Sequence, residues 1–446
     1  MRAVLLAAGE GQRLRPFFQG PKPLMPLLGL SLLERNILTL QECGIKKFIV
    51  ITGCYDEEIR KALGNGESLG VTLKYLHNPD WKLGNGVSAY TFQQEYRSGE
   101  KFLLMMCDHI FERKGIESFL AEADKLDEEV TLLAADKRLE EVWDLPECTK
   151  IEAEGNKALR LGKDLTSFNA VDCGLFFGSK ELLDALAETI REGKYSLTDG
   201  VNLLAKRGKL CLHWLDGWWV DVDDLPSFRY AENKLLQTLR PSKDGLISKW
   251  INRRFSLRIT KALAPTGLTP NQVTFLSFLL AVVSAFCFSF AKPFWGGLLA
   301  QLSSIIDGVD GELARLKFCQ SRYGALFDAI LDRYADFLII IGMTYAWFSS
   351  TGSTAALLLG SAALAGVPMS MLFKEKFQAV TGKQYIPELY DGISGYLPAN
   401  RDGRLFLVML GGFFNLIPAT LTALAAISHL QAIIRLVRAR KFMAKA

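Results

Sequence analysis

The stretch IIDGVDGELARLKFCQSRYGALFDAILDRYAD, residues 305–336, sets five aspartates into segments that otherwise have the character of lipid-facing helix. A carboxylate near a bilayer centre costs about 2.5 kcal/mol even on the gentlest insertion scale, so the spacing of these residues needs a reason. Asp307 and Asp310 are three apart, and Asp328 and Asp332 are four apart. Within each pair the carboxylates share one helix face. The basic loop RLKFCQSRYG separates the pairs, which places them on two helices that aim four carboxylates at one point near the cytosolic interface. Repulsion makes such a cluster costly unless divalent cations occupy it. Gly308, Gly311, Ala314 and Gly324 leave room for close helix approach and for a bulky ligand.

Around this stretch lie apolar runs of about 20 residues, enough to span hydrocarbon. The sequence predicts six spans, at about 272–291, 294–314, 324–349, 353–373, 403–415 and 417–437. Loops assigned to the cytosol carry Arg315, Lys317 and Arg322, then Lys374, Lys376, Lys383, Arg401 and Arg404, whereas the outer loops offer only Lys292. That bias predicts an integral protein of the cell membrane with both termini and the N-terminal domain in the cytosol. Ahead of the spans, residues 246–263 put Ile247, Trp250, Ile251, Phe255 and Ile259 on one stripe flanked by Lys249, Arg253, Arg258 and Lys261. This is the pattern of a helix lying in anionic headgroups; a helix packed on the soluble domain is the alternative.

The front of the chain differs. Residues 1–240 hold 31 Lys/Arg against 37 Asp/Glu, and residues 241–446 hold 21 against 11. An acidic front and a basic, apolar back predict a soluble domain (1–240), a linker with the amphipathic helix (241–268) and a membrane domain (269–446). In the front, AVLLAAG, KFIVITG, KFLLMMCD, VTLLAAD and CGLFFG read as buried strands, alternating with helical stretches such as LLERNILTLQECG and KELLDALAETIREG. The alternation predicts a doubly wound α/β domain with a mostly parallel sheet and a ligand at the carboxyl ends of its strands. The eight cysteines contain no CxxC pair and read as free cytosolic thiols. The four histidines are far apart, which argues against a zinc site. The first residues hold too short an apolar run for a secretory signal.

LLAAGEGQRLRPFFQGPKPLMPLLG joins the first strand to a helix. Ala8, Gly9 and Gly11 let consecutive backbone N–H groups face an anion. Arg13 and Lys22 add positive charge, and Pro21 and Pro23 restrict the segment that presents Lys22. The segment resembles the triphosphate loop AAGxGxRLxP…PKPLxP of sugar-nucleotide-type nucleotidyltransferases. That resemblance implies that KLGNGVSA (82–89) brings Asn85, Gly86 and Ser88 near a nucleobase. It also implies that Asp108 and Asp221, with Asp223 as second choice, hold a metal over the α-phosphate, while Lys22 and Arg13 serve the triphosphate.

Residues 307–332 fill the pattern D-x2-D-G-x2-A-R-x8-G-x3-D-x3-D with Asp307, Asp310, Gly311, Ala314, Arg315, Gly324, Asp328 and Asp332. This resembles the CDP-alcohol phosphotransferase family, and GLTPNQVT (267–274) resembles the segment before its first span. The resemblance implies that Asp307, Asp310 and Asp328 bind metal and the diphosphate, that Gly311, Ala314 and Arg315 line the nucleotide, and that Asp332 deprotonates the acceptor hydroxyl. Asp336 lies outside the motif. Lys317, Lys374 and Lys376, with Arg315, are candidates for acceptor phosphate by loop position alone.

Joined in this order, the two halves resemble the bifunctional family that couples an inositol-1-phosphate cytidylyltransferase to a di-inositol-phosphate-phosphate synthase. That implies CTP, inositol 1-phosphate and CDP-inositol as substrates, Mg2+ or Mn2+ in both sites, membrane lipid as surroundings, a homodimer, and no nucleic acid. A phospholipid synthase built on the same two chemistries is the alternative. A nucleotide-regulated transporter would explain intramembrane carboxylates but not the Gly/Ala/Arg spacing.

Overall fold

The apolar runs of the N-terminal half become strands covered on both faces, which is why they read as near-continuous hydrophobic segments rather than alternating ones. In the computed structural model, which describes residues 1–127, 129–240 and 247–443, two compact units are present: Met1–Lys234 and Leu235–Ala446. The start of the expected linker, 241–246, and the last residues of the basic tail, 444–446, lie outside the described residues, as does the side chain of Lys249.

The first unit is built on a nine-stranded sheet. From edge to edge its strands are Thr72–His77, Lys47–Thr52, Arg2–Ala7, Phe102–Met106, Ala170–Gly178, Thr131–Asp136, Leu210–Trp214, Lys157–Gly162 and Lys150–Glu154. The first four pair in parallel. Ala170–Gly178 runs antiparallel between Phe102–Met106 and Thr131–Asp136. Ala3, Leu5, Leu103 and Met105 face one layer with Leu33, Ile37, Ile116 and Phe119. Val4, Leu6, Phe102 and Leu104 face the other with Phe92, Leu182, Leu186 and Val201. The doubly wound α/β architecture is therefore as the alternation predicts, but the sheet is mixed, with four parallel pairings and five antiparallel ones.

Local chemistry places the helix Leu32–Glu42 beneath the site. Ser31 and Glu34 form a reciprocal capping box. One turn on, Asn36 Nδ2 donates to the carbonyl of Cys107 at 2.8 Å, fixing the backbone just before Asp108. A two-stranded ribbon, His109–Phe111 against Trp219–Asp221, pairs Asp221 directly with His109.

The second unit is helical. Helices stand at Arg253–Leu263, Pro270–Ser289, Pro293–Leu316, Arg322–Thr351, Thr354–Gly366, Met369–Thr381, Arg401–Phe413 and Ile417–Met443. Thr269 and Gln272 box the start of Pro270–Ser289. A break at Val367–Pro368 divides the fourth predicted span, as expected of a residue lacking an N–H. Among the described residues three helices are long and apolar enough to cross a membrane: Pro270–Ser289, Thr354–Thr381 and Ile417–Arg440. The other expected spans fall short for physical reasons. Pro293–Leu316 and Arg322–Thr351 carry the aspartates, Glu312, Arg315 and Arg333, and Arg401–Phe413 has 13 residues.

The helix before the spans exposes Trp250 and Phe255 and buries Ser256, Leu257 and Thr260; Arg253, expected among the basic residues flanking the exposed stripe, is buried instead. Its inner face meets an unexpected buried charge. Glu312 is 0% exposed and accepts from Arg253 Nη1 at 2.5 Å, Ser256 Oγ at 2.7 Å and Thr260 Oγ1 at 2.5 Å.

Candidate active sites

In the first unit the loop after the first strand turns through Gly11 at φ 65°. A Cβ there would stand 2.5 Å from Lys22 Cβ, so only glycine lets the loop close onto that lysine. Lys22, buried in a short turn between Pro21 and Pro23, extends Nζ to Asp108 Oδ2 at 2.7 Å, to Asp223 Oδ1, and to Asp221 Oδ1 at 4.0 Å. Burial disfavours the ammonium, yet the three carboxylates override it and hold Lys22 above its ordinary range. Burial likewise opposes ionisation of Asp108, but Lys22 and His109 keep it well below the usual carboxylate range.

His109 is the residue of this site that sequence reading missed. Its Nδ1 lies 3.0 Å from Asp108 Oδ1 and 3.7 Å from Asp221 Oδ1, and its ring stacks on Trp219. Burial lowers its pKa, and Asp221 and Asp108 more than reverse that, to about 9. Burial pushes Asp221 up to about 6, with His109 pulling against it. Its immediate adjacency to Asp108 was the only signal in the sequence.

Arg13 is exposed and bridges Glu147 at 2.9 Å and Asp223 at 3.4 Å. Asp224 is a cap: Ser227 N donates to its Oδ1 at 2.8 Å. Asn85 lines the pocket with Asp108 and Asp221 and accepts from Leu197 N at 2.8 Å. Gly86 and Ser88 stand behind it. Gly86 N donates to Tyr195 O at 3.0 Å, and the buried Ser88 Oγ accepts from Asn78 Nδ2 at 3.0 Å. Ala8 and Gly9 hold the strand exit, where Ala8 O accepts from Cys54 N at 3.3 Å.

In the second unit the aspartate helices both pack on Pro270–Ser289, which supplies hydroxyls to the cluster. Thr274 Oγ1 donates to Asp310 Oδ2, and Ser277 Oγ donates to Asp307 Oδ1 at 3.4 Å. Gly311 N donates to Asp310 Oδ1. A cavity of about 230 Å³ beside them is lined by Asp310, Gly311, Ala314, Arg315, Gly324 and Asp328. Arg315 Nη2 donates to Leu239 O at 3.0 Å.

The residue missed here is Arg401. Its Nη1 lies 2.6 Å from Asp307 Oδ2 and 2.8 Å from Asp332 Oδ1. Asp336 is buried and paired with Arg404 at 2.8 Å, a tie between Arg322–Thr351 and Arg401–Phe413. Lys317 does not face the cluster: its Nζ donates to Thr266 O at 2.7 Å and Leu268 O at 3.3 Å, closing the turn before the next helix. Lys374 and Lys376 sit on Met369–Thr381 and do not line the cavity.

Both clusters suit a divalent cation. Ligand atoms of Asp108, His109 and Asp221 lie within 4.8 Å of one another, as do those of Asp307, Asp310 and Asp328. Asp221 Oδ1 and Asp328 Oδ1 are buried without a hydrogen-bond partner, a state that a bound cation would relieve. Oxygen-rich donor sets favour hard ions.

The nucleotidyl transferase family model matches residues 2–238, and the CDP-alcohol phosphatidyltransferase model matches residues 267–386. The bifunctional IPC transferase and DIPP synthase of Rubrobacter xylanophilus is 35% identical over 443 residues, covering 98% of this chain and 96% of that protein. The chain belongs to this family. The protein of the same description from Thermococcus kodakarensis is 35% identical over 421 residues, covering 92% of this chain and 89% of its own. Among solved structures, the inositol-1-phosphate CTP transferase from T. maritima aligns at 22% identity and TM-score 0.46, covering 60% of this chain and 97% of that one. The chain is thus a two-part transferase, a nucleotidyltransferase followed by a CDP-alcohol phosphotransferase. Its apolar helices and the second family make it a membrane protein.

Proposed function

We propose that residues 1–240 make CDP-inositol from CTP and inositol 1-phosphate. Residues 269–446 then transfer the inositol-phosphate group of CDP-inositol to a second inositol 1-phosphate, releasing CMP. The observation that carries the second step is the meeting of Asp307, Asp310 and Asp328 with Asp332 held by Arg401. The full-length relationship to proteins named for both activities supports the pairing.

In the first step a phosphate oxygen of inositol 1-phosphate attacks the α-phosphorus of CTP, and pyrophosphate leaves. Such a reaction brings anions together, so catalysis is mostly positioning and neutralisation. Lys22 and Arg13 meet the triphosphate, the backbone of Ala8, Gly9 and Gly11 cradles it, and Asn85, Gly86 and Ser88 form the base-side turn. Asp108 and Asp221, with His109 beside them and Asp223 at Lys22, would hold the cation. In the second step Asp332 takes the proton of the acceptor hydroxyl, which attacks the inositol-bearing phosphorus as the bond to CMP breaks. Asp307, Asp310 and Asp328 would hold cations there, and Gly311, Ala314 and Arg315 line the nucleotide. A bound Mg2+ or Mn2+ would neutralise the phosphates in either site. Arg401, next to the base, takes the place of Lys317, Lys374 and Lys376 as the cation nearest the acceptor.

Six crossings with both termini cytosolic, the helix Arg253–Leu263 in anionic headgroups, and a homodimer complete the reading. Purified protein with CTP, inositol 1-phosphate and Mg2+ tests it: CDP-inositol appears by phosphorus NMR, and its absence would sink the first step. Label from inositol 1-phosphate stays aqueous after the second step; extraction into chloroform would make the product a phospholipid instead.

A further inference from the structure

The pocket beside Lys22, about 240 Å³, has a wall that the phosphate chemistry leaves unassigned, formed in part by Thr149, Lys163, Asp172 and Trp219. Asp172 reaches it because Ala170–Gly178 loses register against Thr131–Asp136 between Asp172 and Phe176. Such an interruption re-aims a side chain and is common beside active sites. Gly174 follows at φ 74°, and the His109 ring fills the space where its Cβ would be, at 2.7 Å from Cδ2. Asp172 Oδ1 accepts from Gly174 N at 2.7 Å. Among the described residues nothing donates to Oδ2, and Asp172 joins no ion pair, although Lys22, Arg13 and His109 each serve other carboxylates.

A carboxylate with one oxygen tied to the backbone and the other open to a polar pocket is suited to accept from a ligand hydroxyl. We infer that Asp172 is a specificity-determining residue of the first reaction, its open oxygen accepting a hydrogen bond from a ring hydroxyl of the polyol phosphate. The inference rests on the reading that this unit takes inositol 1-phosphate. Burial pushes Asp172 up to about 6 against the pull of Gly174 N–H and His109, so it is an acceptor at neutral pH. A site built around a hydroxyl rejects analogues lacking it far more strongly than an apolar pocket rejects a missing methylene.

The test uses the full-length protein with CTP, Mg2+ and either inositol 1-phosphate or its monodeoxy analogues, taken one hydroxyl at a time, with pyrophosphate release as readout. Wild type disfavours one analogue by at least about tenfold. Asp172→Asn raises KM for inositol 1-phosphate by at least about tenfold, leaves KM for CTP within about twofold, and erases discrimination against that analogue alone. Asp172→Glu, which displaces the oxygen, shows the same selective loss. An unchanged KM for inositol 1-phosphate, an equal loss on every analogue, or a wild type that discriminates against none overturns the assignment. A wild type that forms no CDP-inositol overturns the parent reading, and is told apart by that control alone.

Discussion

Arg401 Nη1 stands 2.8 Å from Asp332 Oδ1 while also lying 2.6 Å from Asp307 Oδ2. One guanidinium therefore ties the first aspartate of the motif to the last, across two helices. These contacts are ion pairs without hydrogen-bond alignment, and removing one partner of a buried ion pair costs about 3–5 kcal/mol. Arg401→Ala should lower CMP release from supplied CDP-inositol by at least about 100-fold and leave CDP-inositol formation unchanged. Arg401→Lys, which keeps the charge but not the fork, should recover only part. Equal loss in both reactions would point to misfolding instead.

Asp332→Asn removes the proposed base without changing shape. General-base catalysis contributes about 10²- to 10⁴-fold, so CMP release should fall by that order while CDP-inositol accumulates. Following both by phosphorus NMR separates the steps, and an unaltered CMP rate would rule Asp332 out as base.

The first site should bind its cation in a pH-dependent way. Burial raises Asp221 to about 6, with His109 opposing, and a ligand must shed its proton before it binds metal. Mn2+ affinity should therefore rise up to tenfold per pH unit below about 6 and level off by about pH 7. Were His109 a ligand, its pKa near 9, set by Asp221 and Asp108 against burial, would make affinity climb until about pH 9. Mn2+ titration followed by electron paramagnetic resonance distinguishes the two. An Asp307→Asn/Asp328→Asn background removes the other site's signal.

Glu312, at an undefined position inside the aspartate motif, is a stability residue. Removing one partner of a buried, hydrogen-bonded ion pair costs about 3–5 kcal/mol. Glu312→Ala removes the carboxylate to which Arg253 Nη1 and two hydroxyls donate. The variant should unfold at lower denaturant concentration in detergent and expose Arg253–Leu263 to trypsin, with the nucleotidyl unit's activity retained. Wild-type protease resistance would contradict the role given to this clamp.

Much of this was legible in the chain because the chemistry is local in sequence. The aspartate spacing carries its own helix geometry, and the Gly/Lys/Pro loop directly follows a strand. The predicted buried strands all form, whereas Thr72–His77, Lys150–Glu154, Lys157–Gly162 and Leu210–Trp214 escaped notice. The first three lie at or near the sheet edges and alternate polar with apolar residues, and Leu210–Trp214 is only partly buried on alternate residues, so none shows a continuous apolar run. Arg401 and Glu312 were illegible as partners for a different reason. Arg401 meets Asp332 from a separate helix, and Glu312 looks like an unremarked position inside the motif until Arg253 is folded onto it. Charge pairing across helices leaves no periodic trace. Lys317 shows the converse: loop position suggested phosphate, but two backbone carbonyls claim it.

The oxygens Asp221 Oδ1 and Asp328 Oδ1, which accept no hydrogen bond, also bear on how the chain withstands heat. An ion that binds only the folded form adds free energy as its concentration rises, about 2.7 kcal/mol at one hundred times Kd. Each unit holds its own acidic cluster, so each has its own melting response to the ion. Chelation lowers both, and neutralising one set of carboxylates blunts only that unit's response. Divalent-ion content of the surroundings then acts as a setting for thermal endurance, held separately by the part that makes the activated alcohol and the part that consumes it.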